Sequence, residues 1–230
     1  REKLDRGDMR RVVVSLLTVV AGAFYVLSNY SAAFPEASID LKLSKDQITT
    51  RADAFLRAQG LETGGFRNLT LFDPDDDARL FLEREVGLDE ANRLMRERIS
   101  VWRWRARWYR PPQKEEMVVW LSPDGRLVGF DHVIAETAPG ARLKPDAAQS
   151  IAETFLARQS GARQRLVEAQ LQERPSRHDH VFTWEQEDLR VKDARYRRTI
   201  VIHGDRVGRF QEFLYVPEQW KRDFAALRSK

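Results

Sequence analysis

The chain predicts an α+β fold: a helix packed on an antiparallel sheet, present twice, behind a single apolar helix. Three observations carry this. No charged residue lies between Arg11 and Glu36. Two helix openings, at Leu43 and Leu143, share one pattern and lie 143 − 43 = 100 residues apart. After each comes an aromatic strand and a glycine-containing hairpin in the same order, and helix-then-strands repeated is the signature of α+β units in tandem.

Residues 12–29 form the apolar element, with Val12 to Leu27 reading VVVSLLTVVAGAFYVL. As a helix the uncharged run spans roughly 34 Å, enough for a hydrocarbon core of about 30 Å. Arg10 and Arg11 close a basic flank (residues 1–11) that favours a cytoplasmic N-terminus. Tyr25 and Tyr30 suit the opposite interface. The expectation is a cell-membrane anchor with residues 30–230 extracytoplasmic. Ser31-Ala32-Ala33 also fits a signal-peptidase site, so a cleaved signal stays open. A buried core helix lacks support, because no polar face recurs at helical period.

The first unit spans residues 43–139. Ser44 is an N-cap candidate with Asp46 and Gln47 in the first turn. Ile48, Ala52, Phe55 and Leu56 recur at helical spacing, and Gly60 supplies a stop. Residues 66–72 alternate as a strand. Asp73, Asp75 and Asp77 begin a calcium-loop pattern, but Ala78 stands where its glycine is needed and Arg84 where its glutamate is needed. The reading is a turn, with Asp77 capping a helix from Ala78 to Val86 and a second helix from Asp89 to Arg98. Together they make a helical insertion over 78–98. Trp102, Trp104, Ala106 and Trp108 then alternate with Arg103, Arg105 and Arg107, as on a half-buried strand. Ser122-Pro123-Asp124-Gly125 joins two further strands as a hairpin.

The second unit spans residues 143–217. Ala152-Glu153-Thr154-Phe155-Leu156 echoes Ala52-Asp53-Ala54-Phe55-Leu56, and Val181-Phe182-Thr183-Trp184 matches Val101-Trp102-Arg103-Trp104. Phe55, Trp104, Phe155 and Trp184 are therefore the expected core, with the two tryptophans at equivalent places. His178-Asp179-His180 reads as a solvated turn rather than the start of a metal site, for want of a third ligand. Residues 218–230 form an amphipathic juxtamembrane segment. Trp220, Phe224 and Leu227 lie on one of its faces, suited to a membrane interface.

With 32% charged and 42% hydrophobic residues the chain has the material for a core and is not a disordered composition. Its net charge of +4 is interleaved rather than blocked, so no nucleic-acid claim follows from it, and the expected exported location argues against nucleic acid as a partner. No cysteine is present, so disulfides and thiolate metal sites are excluded. No Gly-x-Ser-x-Gly, phosphate-binding glycine loop or His-Glu-x-x-His occurs, and no catalytic, cofactor or metal residue is assigned.

Two tandem helix-plus-strand copies behind one membrane helix resemble PepSY-like domains. Ala54-Phe55-Leu56, Val101-Trp102-Arg103-Trp104, Ser122 to Phe130, Pro139 to Leu143 and Phe182 to Glu185 are similar to the N-terminal region of bacterial CPBP-type intramembrane proteases, relatives of the CAAX-processing endopeptidases. The resemblance implies a non-catalytic region serving substrate recognition or control. Its implied partners are the lipid bilayer, a downstream membrane domain of the same chain and a protein or peptide substrate. It also implies a divalent metal in catalytic helices beyond Lys230. The family's Glu-Glu-x-x-x-Arg motif is not completed here, since Trp120 follows Glu115-Glu116 where the arginine belongs. The alternative is a stand-alone anchored binding or signalling protein without enzymatic activity.

Overall fold

The computed structural model describes residues 6–33 and 39–228. The uncharged run forms α1 (Arg6–Ala33), within which Gly7–Ser28 is long and apolar enough to cross a membrane. Length and composition suit a membrane span and a signal sequence alike. Leu16, Leu17, Val19, Phe24 and Leu27 are each more than 60% exposed, so the described residues offer this apolar surface no cover.

Helix α2 (Lys45–Ala58) starts where the sequence places it. The Ser44 hydroxyl accepts from the Gln47 amide while the Gln47 side chain accepts from the Ser44 amide, a reciprocal cap. Then follow β1 (Arg67–Phe72), α3 (Asp76–Val86), α4 (Leu88–Glu97), β2 (Trp104–Tyr109), β3 (Glu116–Leu121) and β4 (Leu127–Val133). The second run is α5 (Pro145–Gln159), β5 (Gln164–Arg174), β6 (Arg177–Val191), β7 (Ala194–His203) and β8 (Arg206–Tyr215), closed by α6 (Glu218–Arg228).

All eight strands form one antiparallel sheet in the order β1-β2-β3-β4-β8-β7-β6-β5. The two helix-plus-four-strand runs therefore meet edge to edge at β4 and β8 and share a sheet. Phe130 stands opposite Phe210 at that joint. Phe55 of α2 meets Phe130 edge-on at 5.2 Å, and Phe155 of α5 meets Phe210 likewise at 5.4 Å. The palindromic strand order and these matched ring pairs relate the halves by an approximate two-fold about the Phe130–Phe210 pair. Both rings are fully buried, each contributing about 1.5–3 kcal/mol by leaving water.

The register corrects one expected equivalence. A single row crosses the sheet through Thr70, Ala106, Val119, Phe130, Phe210, Ile200, Phe182 and Ala169. Phe182 thus answers to Ala106, so Trp184 corresponds to Trp108, two residues on, and Trp104 corresponds to His180. Both Trp108 and Trp184 are buried, whereas Trp104 is half-buried against the same core. Matching by aromatic spelling slid the strand by four residues. A shift by an even number keeps the same face inward, so alternation alone does not detect it.

The insertion has a structural purpose that its position in the sequence hides. Strands β6, β7 and β8 run 15, 10 and 10 residues, against 6, 6 and 7 for β2, β3 and β4. Their extra length extends past α5. Phe81 and Leu82 of α3, and Ala91, Leu94 and Met95 of α4, join Leu189, Val191, Tyr196 and Leu214 in a second core. The units 43–139 and 143–217 are therefore not separate packing units: an element of the first covers strands of the second. Asp75, not Asp77, caps α3 by accepting from the Ala78 amide at 3.1 Å. Arginines meet two carboxylates of the run, Arg103 reaching Asp75 at 3.2 Å and Arg105 reaching Asp73 at 3.6 Å.

Candidate functional site

Between the two cores the inward face of the long strands turns polar. Arg198 and Glu212 stand opposite each other on β7 and β8, next in line after the apolar Ile200–Phe210 pair. The Glu212 side chain is 1% exposed. It accepts from Arg126 Nη1 at 2.5 Å, from the Ser100 hydroxyl at 2.9 Å and from Arg198 Nε at 3.3 Å. Arg198 Nη1 donates to Gln186 Oε1 at 2.8 Å, and the Gln186 amide donates to Asp188 at 2.8 Å. Arg126 also donates to the Ser100 hydroxyl. Burial and the Glu212 charge push the Tyr196 phenol far above its ordinary range, so the ring stays neutral beside this network.

The network ties three elements together. Arg126 comes from the β3–β4 hairpin, Ser100 from the link between α4 and β2, and Glu212 from β8. A buried carboxylate is tolerated only when its lone pairs are filled, and here they are. The hairpin is itself held: Gly125 takes φ 84°, and Ser122 donates to Asp124, holding that carboxyl below the usual range.

Above Arg126 and Ser100 opens a cleft of about 380 Å³, walled by Lys42, Arg96, Arg98, Trp102 and Asp124. Charges of both signs line it. Lys42 pairs with Asp40 at 3.5 Å and Arg98 with Asp188 at 2.9 Å. No histidine lines the cleft, and the Ser100 hydroxyl is committed to Glu212. A lining of this kind can meet a polar, charged segment with ion pairs and hydrogen bonds.

A second cleft of similar volume lies at the opposite ends of the strands, with Leu61, His132, Ile134, Arg177, His203 and Arg206 on its walls. Beside it Asp179, fully buried, receives Arg177 at 2.7 and 3.1 Å and Arg174 at 3.2 Å, with His203 Nδ1 at 3.3 Å. Arg177 Nη1 also donates to the carbonyls of Ala135, Glu136 and Ala138, pinning the loop before α5. This corrects the solvated-turn reading of His178-Asp179-His180. The loop folds over the segment, leaving His180 1% exposed with Nε2 3.0 Å from the Leu143 carbonyl oxygen. Burial pushes the His203 pKa down by more than Asp179 raises it. No group of three or more metal-ligating side chains gathers among the described residues.

The expected interface residues are dispersed. Arg10, Arg11 and Tyr25 are exposed on α1, and Arg11 lies 3.7 Å from Asp8. The Tyr30 side chain, and residues 34–38 after it, lie outside the described residues. On α6, Trp220 meets Phe81 edge-on at 5.1 Å and donates to Glu85 at 2.7 Å. Phe224 stacks on Trp220 beneath Arg84, while Leu227 is 60% exposed. Two of the three expected interface side chains of α6 thus face α3. Glu115 and Glu116 are held at the start of β3, by His132 at 2.8 Å and by Arg107.

The polar network was not foreseen, although one signal was present. Arg198 and Glu212 fall on the inward phase of strands whose other inward residues, Tyr196, Ile200, Phe210 and Leu214, are apolar or aromatic. A charged residue on that phase marks a buried pair. Comparison with protein families, with curated proteins and with solved structures finds no match to the chain.

Proposed function

We propose that the chain is a membrane-anchored recognition region on the extracytoplasmic side, non-catalytic itself, which presents the Arg126 cleft to a protein or peptide. At the finer level, it serves as the N-terminal regulatory or substrate-recognition region of a CPBP-type intramembrane protease. The observation that carries the reading is the pairing of an unburied apolar helix with a body whose cleft is lined by charged side chains of both signs. Motif resemblance supports the finer level. In such a parent the catalytic helices, and the divalent metal they would hold, follow Lys230.

The test has two arms in the full-length parent. A reporter active only after export, fused after Gly140, is expected to be active; an inactive fusion at normal expression reverses the topology. Charge reversal at Lys42 and Arg98 is expected to alter processing or capture of a substrate while thermal stability stays within about 1 kcal/mol, as for exposed ion pairs. Unchanged processing leaves the region a passive spacer, and a stop codon directly after Lys230 selects the stand-alone binding protein.

A further inference from the structure

The sheet ends on two unequal edges. At one lies β1, six residues long; at the other lies β5, eleven residues long, with no strand beyond it among the described residues. Soluble proteins generally keep edge strands short, kinked or covered, because an open row of N–H and C=O groups pairs with any strand that reaches it. The first half of β5 follows this rule, as a bulge at Val167 breaks its register against β6. The second half, residues 168–174, pairs with β6 in unbroken register. Helix α5 packs over β6, β7 and β8 and leaves this edge uncovered. Leu171 is 45% exposed there, and Leu166 36%.

We infer that this edge pairs with the same edge of a second copy of the chain, joining two sheets into one across a two-fold axis at Leu171. The side-chain order selects both the occupant and the register. A two-fold normal to the sheet keeps facing residues on the same side, so the axis passes through a residue of β5. Centred on Leu171, it sets Glu168 against Arg174 of the second copy, twice, and Gln170 against Gln172, twice. All four side chains lie on the face away from α5. There Thr183 and Gln170 donate to Glu168 at 3.2 and 2.6 Å, and Arg174 donates through Nη2 to Gln172 at 2.9 Å and through Nε to Asp179 at 3.2 Å. Centres at Ala169, Gln170 or Gln172 place no opposite charges together on one face. On the other face the central pair is Leu171 against Leu171, which covers the exposed side chain. Edge-to-edge joining is the mode by which the two halves of the chain already meet at β4 and β8. The β1 edge has no acidic residue and allows no such charge pairing with itself.

The chain lacks cysteine, so a single introduced thiol reports contact cleanly. Facing residues of an antiparallel pair have Cα atoms about 4.5–5.5 Å apart, within reach of a disulfide. The full chain carrying Leu171→Cys, in membranes or detergent, is expected to form a covalent dimer on mild oxidation. Leu69→Cys on the β1 edge is expected to give at least about tenfold less, the ratio that a 1.4 kcal/mol preference produces. Adding Glu168→Arg to Leu171→Cys, which faces two arginines with two more, is expected to cut cross-linking severalfold at an unchanged melting temperature. Should that variant melt early, Leu171→Lys, an exposed change, replaces it, with protein mass by light scattering as the readout. Equal cross-linking at 69 and 171, as random encounter or association through α1 would give, overturns the inference. So does a single-chain mass at all concentrations, or protection of the β5 amides by an added extended peptide while Leu171→Cys stays uncrosslinked.

Discussion

Replacing Glu212 by leucine tests the network that joins the two cores. The change removes the acceptor of three donors and leaves Arg198, whose side chain is 8% exposed, charged without a carboxylate. Arg126 is 47% exposed and can turn to water, so its share of the loss is small. Arg198 has no such exit and keeps only neutral partners, the Gln186 side chain and the Tyr196 ring. Breaking a buried pair by removing one partner costs about 3–5 kcal/mol. For a domain of this size that corresponds to a fall in Tm of roughly 6–20 °C, at about 2–4 °C per kcal/mol. The assay is thermal and urea unfolding of the full chain in detergent, followed by tryptophan fluorescence. Pairing Glu212→Leu with Arg198→Met removes both buried charges, and is expected to recover more than half of the loss because no uncompensated ion remains. A loss below about 1 kcal/mol for Glu212→Leu, the range of exposed ion pairs, would mean that water enters between the cores and would refute the reasoning.

Acid is expected to weaken the fold in two steps. The His203 pKa is pushed down by burial, so the unfolded chain takes up its proton first and stability declines as pH drops below about 6.5. Burial pushes the Asp179 carboxyl up, but hydrogen bonds from Arg177 and Arg174 and the nearby His203 outweigh it. Its contribution is therefore complete above about pH 4 and lost as pH falls through the lowered folded value. Melting temperature measured against pH checks both, with His203→Gln expected to abolish the first step; a fold that gains stability between pH 7 and 5.5 contradicts the assignment. Trp220→Ala removes the ring against Phe81 and the hydrogen bond to Glu85, at a cost of about 1–3 kcal/mol for a half-buried tryptophan. Trypsin should then cut at Lys221 and Arg222 severalfold faster, and unchanged protection would show that α6 is held by something other than this ring.

Local signals in the sequence determined the elements. The Ser44 cap, the Gly60 stop and the Ser122–Gly125 hairpin depend on groups within a few residues of one another, so each could be read without knowing the fold. The same holds for α1, whose composition alone sets it apart from the rest. Tertiary structure decided what those elements meet. Two sheets or one, Trp104 or Trp108 as the counterpart of Trp184, and an insertion that covers strands of the other half are matters of pairing between distant segments. Hydrophobic alternation fixes which face is buried but not which strand lies beside it. Buried charge was the hardest to read for the same reason. Arg126, Ser100, Arg198 and Glu212 are unremarkable singly, and only a fold that brings positions 26, 86 and 112 residues apart together turns them into one network.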